Sequence, residues 1–336
     1  MLWPRLVAAT SREYGMRCLA DELAQYDGDL RRMFQTARKL LSSAAPLATK
    51  ISRRQLVGGK RLRAVIALLS GRLCGLADRT SDQTAVAIEL IHSATLLHDD
   101  VVDDASMRRR RKTANELHGN AAAVLAGDFL YSRASQILAG LECQPLLLWI
   151  ADATNSLAEG EILQLERRGG TDMTREMYFD IISRKTANLF EAASAAGALL
   201  AEKQDILPHL AAYGRHLGTA FQLIDDCLDY DGSDRETGKK IGADFAEGKM
   251  TLPAILALEK TSAASRRRIL AGWQRGDEQA FADTLRLTHE TGALAEVRHL
   301  AVQEVEQAMA ALQNFPPHAK RDSLINLARA SVMRRG

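Results

Sequence analysis

Four aspartates stand close together near residue 100. Asp99, Asp100, Asp103 and Asp104 end the run IELIHSATLLHDDVVDD, which begins at Ile88. On a helix, residues four apart lie one above the other, so Asp99 is expected above Asp103, with the second pair on the adjacent face. Like charges at this spacing destabilise a helix, and acids near its C-terminal end also oppose the helix dipole. The cluster therefore predicts a bound cation.

A second acidic cluster follows another apolar run. In TAFQLIDDCLDY the acids are Asp225, Asp226 and Asp229. One such cluster is as compatible with a solvated helix end as with a site, but two copies favour a function. Carboxylates without His or Cys partners select a hard cation, and Mg²⁺ commonly takes its remaining ligands from water and substrate phosphates. The pair of clusters predicts Mg²⁺ bound with a diphosphate.

Basic residues accompany both clusters. Arginine and lysine bind phosphate oxygens, and glycines let backbone N–H groups approach an anion. The candidates are Lys60, Arg61 and Arg63 behind Gly58-Gly59, Arg108 and Arg109 in the run RRRRK, Lys185 beside Thr186, Lys239 and Lys249. An arginine run is more often a solvated, nucleic-acid-binding or membrane-surface patch. Its position beside four acids argues against nucleic acid.

Two further polar residues have open roles. His92 lies seven residues before Asp99, nearly on the same helix face, and is as compatible with a buried core histidine as with a substrate contact. Gln222 lies three residues before Asp225, where its amide either binds phosphate or fills a polar gap.

Helices must position these groups. Apolar residues recur at spacings of three and four, only seven of the 336 residues are proline, and no stretch shows sustained alternation of β-branched residues. The apolar fraction of 46% and the absence of linker-like composition are typical of a globular protein. We expect an all-α single domain, 1–336, of roughly ten or more helices around a central elongated apolar cavity. Its motif-bearing core spans about 58–253, and 254–336 form C-terminal helices.

The composition limits the kinds of partner and the cellular location that the sequence predicts. Lys plus Arg number 44 against 42 acids, so the net charge of +2 does not predict a nucleic-acid partner. The four cysteines match no zinc, redox or disulfide spacing. No window approaches 18 uninterrupted apolar residues, and the N-terminal residues do not resemble a secretory signal. We therefore expect a cytoplasmic protein, with peripheral membrane contact as one route of product release.

The motifs resemble the trans-isoprenyl diphosphate synthase family, particularly its long-chain bacterial members of the octaprenyl type. The blocks that carry the resemblance are GGKRLR (58–63), HSATLLHDDVVDDASMRR (92–109), GNAAAVLAGDFLYSRA (119–134), AEGEILQL (158–165), SRKTANLFEAA (183–193) and LGTAFQLIDDCLDY running on to GKMTLP (217–253).

The resemblance implies repeated condensation of isopentenyl diphosphate with an allylic diphosphate by an Mg²⁺-dependent homodimer. Farnesyl diphosphate is the expected primer. Asp99, Asp103 and Asp225 would hold the metal, with Asp100, Asp226 and Asp229 in support. The allylic diphosphate would also meet Arg108, Lys185, Thr186, Gln222, Lys239 and Lys249. The isopentenyl diphosphate would meet Lys60, Arg63, His92 and Arg109.

The resemblance also predicts product length. In this family a bulky side chain about five residues before the first aspartate blocks chain growth. Here Ala94 occupies that position beside Thr95, with Ile91 and Ile88 as lower stops. The small residues favour a long product, near C40, that serves as a quinone side chain.

Other functions remain open from the sequence. A short-chain farnesyl or geranylgeranyl diphosphate synthase is disfavoured by Ala94. A terpene cyclase would lack the second substrate's cations Lys60, Arg63 and Arg109. A non-catalytic subunit of the same fold commonly loses motif aspartates, and a nucleic-acid-binding module would use the arginine run.

Overall fold

The described part of the chain folds into helices, with one short hairpin. The computed structural model describes residues 18–109, 111–231 and 242–333. Their helices, numbered here in chain order, are α1 Leu19–Ala24, α2 Asp27–Leu40, α3 Pro46–Gln55, α4 Leu62–Leu73, α5 Asp78–Val102, α6 Ala114–His118, α7 Asn120–Ala139, α8 Gln144–Glu166, α9 Arg175–Ile182, α10 Asn188–Leu200, α11 Leu207–Asp231, α12 Ala243–Ala246, α13 Leu252–Glu259, α14 Ala263–Trp273, α15 Glu278–Glu290, α16 Ala293–Ala311 and α17 Ala319–Val332.

The hairpin is confined to two strands of two residues. β1 Met107–Arg108 pairs antiparallel with β2 Arg111–Lys112 just after α5. A five-residue π-helix, Ser183–Ala187, lies between α9 and α10. The prediction of an all-α fold is confirmed.

Local sequence accounts for several helix boundaries. Proline lies in the first turn of α3 and of α13, where its missing N–H has no partner to lose. Thr174 caps α9, Ser262 caps α14 and Asp277 caps α15, each accepting a hydrogen bond from a backbone N–H of the first turn.

The core lies between α4, α5, α10 and α11, which pack against one another, while α7 packs on α5 and α16 on α11. Small residues allow close packing. A Cβ at Gly218 of α11 would lie 2.7 Å from the Cα of Ala187. This close approach fixes the distance between α11, which carries the second acidic cluster, and the π-helix.

Ion pairs tie the N-terminal helices to this core. Arg72 of α4 donates to both carboxylate oxygens of Asp29 on α2, each at 2.7 Å. Arg32 of α2 bonds to Asp82 of α5 at 2.6 Å. Among the described residues, no helix is long and apolar enough to cross a membrane.

Candidate active site

Both acidic clusters face one large cavity. Its volume is about 1010 Å³, and its wall contains Asp99 and Asp103 from α5 together with Asp225, Asp226 and Asp229 from α11. The two motifs, 126 residues apart in sequence, thus meet across a shared space. A shared site for Mg²⁺ and a diphosphate requires that the two clusters meet in one cavity, and the structure supports this.

The basic and neutral polar residues predicted to bind the substrates line the same cavity. They are Lys60, Arg63, His92, Arg108, Arg109, Lys185, Thr186, Gln222 and Lys249. Lys239 lies outside the described residues. The structure therefore gathers the predicted charges that it describes, with the exception of Asp100.

Asp100 turns away from the cavity. It is 1% exposed, is absent from the cavity wall, and accepts a 2.5 Å hydrogen bond from Nε of Arg108. The predicted pairing of Asp100 with Asp104 on one helix face is wrong, because α5 ends at Val102 and Asp104 has a φ of 48°. Asp100 thus positions Arg108 and is not placed to bind a metal in the cavity.

The first cluster contains two carboxylates in different electrostatic settings. Burial raises the pKa of Asp99 to about 7, and the nearby Glu161 adds to this rise. Burial also opposes ionisation of Asp103, but its pKa is lowered because Lys249, Lys185 and Arg168 lie around it. Lys249 Nζ and Arg168 Nη2 bond to Asp103 at 2.9 and 3.0 Å. Of these two carboxylates, Asp99 is therefore the one that needs a cation to stay ionised at neutral pH.

The second cluster is held by hydrogen bonds. Tyr178 donates its hydroxyl to Asp226 at 2.5 Å, and the amide of Gln222 donates to the other oxygen at 2.7 Å. Burial nonetheless raises the pKa of Asp226 to about 7. Asp229 accepts from the backbone N–H groups of Ala243 and Asp244, at 3.0 and 3.1 Å. These bonds fix the two carboxylates that follow Asp225 in the sequence.

The π-helix carries Lys185 and Thr186. Lys185 Nζ reaches Glu161 at 2.7 Å and Gln164 at 2.8 Å, both on α8. Thr186 donates its hydroxyl to Gln222 of α11 at 2.8 Å. An extra residue in one turn widens a helix, and such turns are frequent at functional sites. Here the widened turn connects α8 with α11 across the acidic end of the cavity.

A second group of residues on the cavity wall is basic, and we call this part of the wall the basic end. The guanidinium of Arg63 lies over the ring of Phe190, 4.3 Å from its centroid, and Nη1 is 3.4 Å from Nε2 of His92. Burial and the surrounding arginines hold the pKa of His92 well below its usual range, so its ring is neutral at pH 7. A neutral imidazole among guanidinium groups can donate to a phosphate without adding repulsion.

A buried ion pair supports this basic end. Arg61, which begins α4 in a left-handed conformation, bonds to Glu89 of α5 and donates to the carbonyl of Leu56 at 2.6 Å. Both side chains are at most 5% exposed. The pair fixes the segment that carries Lys60, and its charge is already neutralised within the protein.

Gly59 fits closely against Arg109. A Cβ at Gly59 would lie 2.5 Å from Nη1 of Arg109, and the φ of Gly59 is +89°. The backbone conformation therefore favours glycine here, and a Cβ at this position would displace the guanidinium of Arg109.

The chain-length residues are only partly on the cavity wall. Thr95 lines the cavity, whereas Ala94, Ile91 and Ile88 are buried in the core and are absent from its lining. Ala94 is five residues before Asp99, which places it about 140° round the helix. The prediction that Ala94 faces the cavity is not supported by the structure.

Sequence reasoning misses several residues of the wall or its support. These are Glu89, Glu161, Gln164, Arg168 and Tyr178. Glu89 interrupts an apolar run three residues before His92. That isolated acid is a usable signal, since a buried charge requires a partner. The partners of Arg168 and Tyr178 depend on contacts across the fold.

The carboxylates alone do not form a closed metal centre. In the described part of the chain, no three carboxylate, imidazole or thiol side chains converge closely enough to hold an ion by themselves. A metal here would need further oxygen ligands, such as those of water or a diphosphate.

An all-α fold whose cavity has an acidic wall from two aspartate motifs and a basic end defines the class of isoprenyl synthases. The polyprenyl synthetase family model matches residues 45–286. The chain belongs to this family, and it is a trans-prenyltransferase enzyme, as the sequence predicts.

Two of the similar proteins are named as long-chain synthases. Octaprenyl diphosphate synthase of Escherichia coli is 43% identical over 279 residues, covering 82% of this chain and 86% of that protein. The geranyl-diphosphate-specific all-trans-nonaprenyl-diphosphate synthase of Rhodobacter capsulatus is 38% identical, covering 94% and 97%.

A solved structure also matches closely. The polyprenyl synthase of Caulobacter crescentus, complexed with calcium and isoprenyl diphosphate, has a TM-score of 0.88 and 37% identity, covering 94% of this chain and 98% of that one. The family prediction is confirmed.

Proposed function

We propose that this enzyme condenses isopentenyl diphosphate repeatedly with an allylic diphosphate, using Mg²⁺, to make a long all-trans polyprenyl diphosphate near C40. Farnesyl diphosphate is the proposed primer, and a quinone side chain is the proposed use. The observation that carries the proposal is the shared cavity whose wall contains both aspartate motifs together with the basic end. Two diphosphates require two such charge environments.

The acidic wall fits a divalent cation. Asp99 has its pKa raised by burial, and Asp103 and Asp225 share its cavity. Magnesium bound to these three carboxylates would supply positive charge to the leaving diphosphate. Asp226 and Asp229 then act as orienting groups, since their oxygens already accept hydrogen bonds.

The chain's own residues account for the remaining steps. Lys185, Thr186, Gln222 and Lys249 lie on the acidic side, where they would bind oxygens of the allylic diphosphate and stabilise charge as the carbon–oxygen bond breaks. Arg108, which Asp100 holds in place, also lines the cavity and would bind the same diphosphate. Lys60, Arg63, His92 and Arg109 would hold the isopentenyl diphosphate with its double bond toward the allylic carbon.

The apolar part of the wall suits the hydrocarbon. Leu157, Ile181, Leu189, Phe190 and Phe221 line the cavity. Apolar walls exclude water, which would otherwise capture the allylic cation. The double bond of isopentenyl diphosphate attacks this cation, and transfer of a proton to the released diphosphate completes a five-carbon extension.

We further propose a cytoplasmic homodimer built from single-domain subunits. Large apolar side chains are exposed on two helices: Leu125 of α7 is 67% exposed, and Leu148 and Ile162 of α8 are 56% and 57% exposed. An exposed apolar surface of this kind favours a protein interface. A second copy of the chain is the proposed partner.

The central experiment measures product length and metal dependence. The full chain is incubated with farnesyl diphosphate, labelled isopentenyl diphosphate and Mg²⁺, and the products are sized by chromatography. Products near C40 that disappear on chelation are expected. Release of the primer as a cyclic product, without uptake of label, would contradict the proposal.

A matched pair of variants tests the acidic wall. Asp99→Asn is expected to lower kcat at least about 100-fold, because it removes a carboxylate that faces the cavity. Asp104→Asn changes an exposed acid of the same cluster that is absent from the cavity wall, and its left-handed conformation suits asparagine. It is expected to retain activity. Equal losses in both variants would argue against a specific role for Asp99.

A further inference from the structure

Positive charge is concentrated in one part of the chain. Between Asp29 and Asp78 there is no Asp or Glu, while eleven Lys or Arg residues occur, although the whole chain has a net charge of only +2. Some of these cations are neutralised inside the fold. Arg32 pairs with Asp82, Arg72 with Asp29, and Arg61 with Glu89.

Most of the remaining cations form a continuous surface. Arg53 of α3 donates to the carbonyl of Arg38 on α2 at 3.3 Å, and Arg54 donates to the carbonyl of Lys112 in β2 at 2.9 Å. The end of α2, the exposed side of α3 and the hairpin are therefore adjacent. We call this surface the basic face. It consists of Arg38, Lys39, Lys50, Arg53, Arg54, Arg111 and Lys112.

Little negative charge balances the basic face. Lys112 pairs with Glu116 at 3.1 Å. Within residues 18–109, 111–231 and 242–333, Lys39, Lys50 and Arg53 form no ion pair with a carboxylate. These side chains are exposed and separated from the buried pairs, so the surface presents a net positive field to solvent.

Large apolar side chains lie among these cations. Leu40, Leu47, Val57 and Met107 are 37%, 46%, 50% and 54% exposed. Cations interspersed with exposed apolar side chains suit the boundary of a bilayer, where the cations meet lipid phosphates and the apolar groups enter the headgroup region. Binding to a nucleic-acid backbone is an attraction between cations and phosphates, which does not require exposed leucine, valine and methionine.

The basic face borders the opening of the cavity. Lys60, Met107 and Arg109 line the cavity and are also exposed, so the cavity opens beside the hairpin and the end of α3. A product with a long apolar chain has to pass from this protein into a lipid phase. The transfer of a product into lipid rests on the proposed function. The distribution of charge on the basic face is independent of that function.

We propose that the basic face docks the enzyme on the surface of an anionic lipid bilayer, with the cavity opening near the membrane. Phosphate-bearing headgroups are the ligand, and the exposed apolar residues insert at the boundary. The contact is peripheral and reversible, and it weakens as salt concentration rises.

Cosedimentation with vesicles tests this proposal on the full chain. The probes are vesicles of phosphatidylcholine alone and vesicles of phosphatidylcholine mixed with phosphatidylglycerol. Lys50→Glu/Arg53→Glu reverses two charges of the basic face. Arg266→Glu/Arg267→Glu reverses two exposed charges on α14 and gives the same net charge. Condensation of farnesyl and isopentenyl diphosphates in detergent is measured in parallel for each protein.

The wild-type chain is expected to cosediment with the vesicles that contain phosphatidylglycerol and not with those of phosphatidylcholine alone. The variant of the basic face is expected to lose at least about tenfold in partition coefficient, and the α14 variant to stay within about twofold. Both should condense substrates at the wild-type rate in detergent. If the wild type is inactive in the detergent assay, the proposed function is wrong. The vesicle experiment still tests the docking proposal in that case.

Any of four outcomes would overturn the docking proposal. The wild type fails to bind anionic vesicles, or it binds neutral ones equally well. Alternatively, both charge-reversal variants lose binding equally, which would show an effect of net charge alone. Tighter retention of an RNA duplex than of vesicles, lost in the variant of the basic face, would assign that surface to nucleic acid.

Discussion

Single residues set the electrostatics of the basic end. Glu89 is buried beside Arg61, and its charge also opposes the loss of the proton from Arg63 and Arg109, whose pKa values burial lowers. Without this carboxylate, several guanidinium groups would repel one another before any substrate bound. Glu89 thus allows a dense cationic site to exist in the free enzyme.

Gly59 offers a direct test of how Arg109 is positioned. Gly59→Ala should raise KM for isopentenyl diphosphate about tenfold, because the new Cβ would displace the guanidinium of Arg109. KM for the allylic diphosphate should change less than about twofold. Steady-state kinetics with each substrate varied in turn measures both values.

Gly58→Ala is the matched control for this change. Gly58 has a similar φ of +85°, but a Cβ added there would have nothing within 4 Å. Backbone strain is therefore common to the two variants, and contact with Arg109 is specific to Gly59→Ala. Equal KM values for the two variants would show that strain, and not displacement of Arg109, is responsible.

Helix α5 presents different residues to the cavity and to the core. Thr95→Phe should shorten the product, since Thr95 lines the cavity. Ala94→Phe should instead overpack the core and lower the free energy of unfolding by about 1–3 kcal/mol, because Ala94 is 1% exposed and absent from the wall. Product sizing and urea unfolding measure the two effects. Shortening by Ala94→Phe alone would restore the assignment made from the sequence.

The link between α2 and α4 should make stability depend on pH. Hydrogen bonds from Arg72 hold the pKa of Asp29 at about 2, below its usual value. A carboxyl with a lowered folded-state pKa stabilises the protein above its unfolded pKa, and this stabilisation is lost as pH falls through the folded value. The contribution of Asp29 should therefore be complete at pH 7 and disappear between about pH 4 and pH 2.

Asp29→Asn measures this contribution. We expect it to lower the free energy of unfolding by on the order of 2 kcal/mol at pH 7, with the difference from wild type shrinking toward pH 2. Asp152→Asn, an exposed change on α8, should alter stability by less than about 0.5 kcal/mol at either pH. A difference for Asp29→Asn that does not vary with pH would refute the linkage. Urea unfolding across this pH range gives both values.

At the scale of the whole molecule, assembly is the property to test. Leu125→Lys/Leu148→Lys places charge on the exposed apolar surface of α7 and α8 and should convert a dimer into a monomer. Leu47→Lys, at an exposed leucine on α3, should leave the dimer intact. Light scattering after size-exclusion chromatography gives the mass of each. A monomeric wild type would contradict the proposed dimer.

Much of the molecule can be predicted from its sequence. Apolar periodicity indicates helices, and the repeated aspartates indicate a shared site, because charge on an apolar helix demands a partner. The π-helix around Lys185 and the inward turn of Asp100 cannot be predicted. Both depend on contacts between distant segments, with α8 in the first case and with Arg108 in the second. The chain-length role of Ala94 comes from the family resemblance, and the burial of Ala94 in the core depends on how packing rotates α5, which spacing alone does not give.

The polarity of the cavity has a consequence for how two chemically similar molecules are told apart. Both substrates carry the same diphosphate head, so shape recognition of that head cannot separate them. With the carboxylates of the two motifs on one part of the wall and the guanidinium groups of the basic end on another, the electric field in the cavity favours a metal-loaded head in one place and a bare, fully anionic head in the other. The two substrates are then distinguished by whether the diphosphate carries a bound metal ion. The order in which they bind therefore depends on the concentration of free metal.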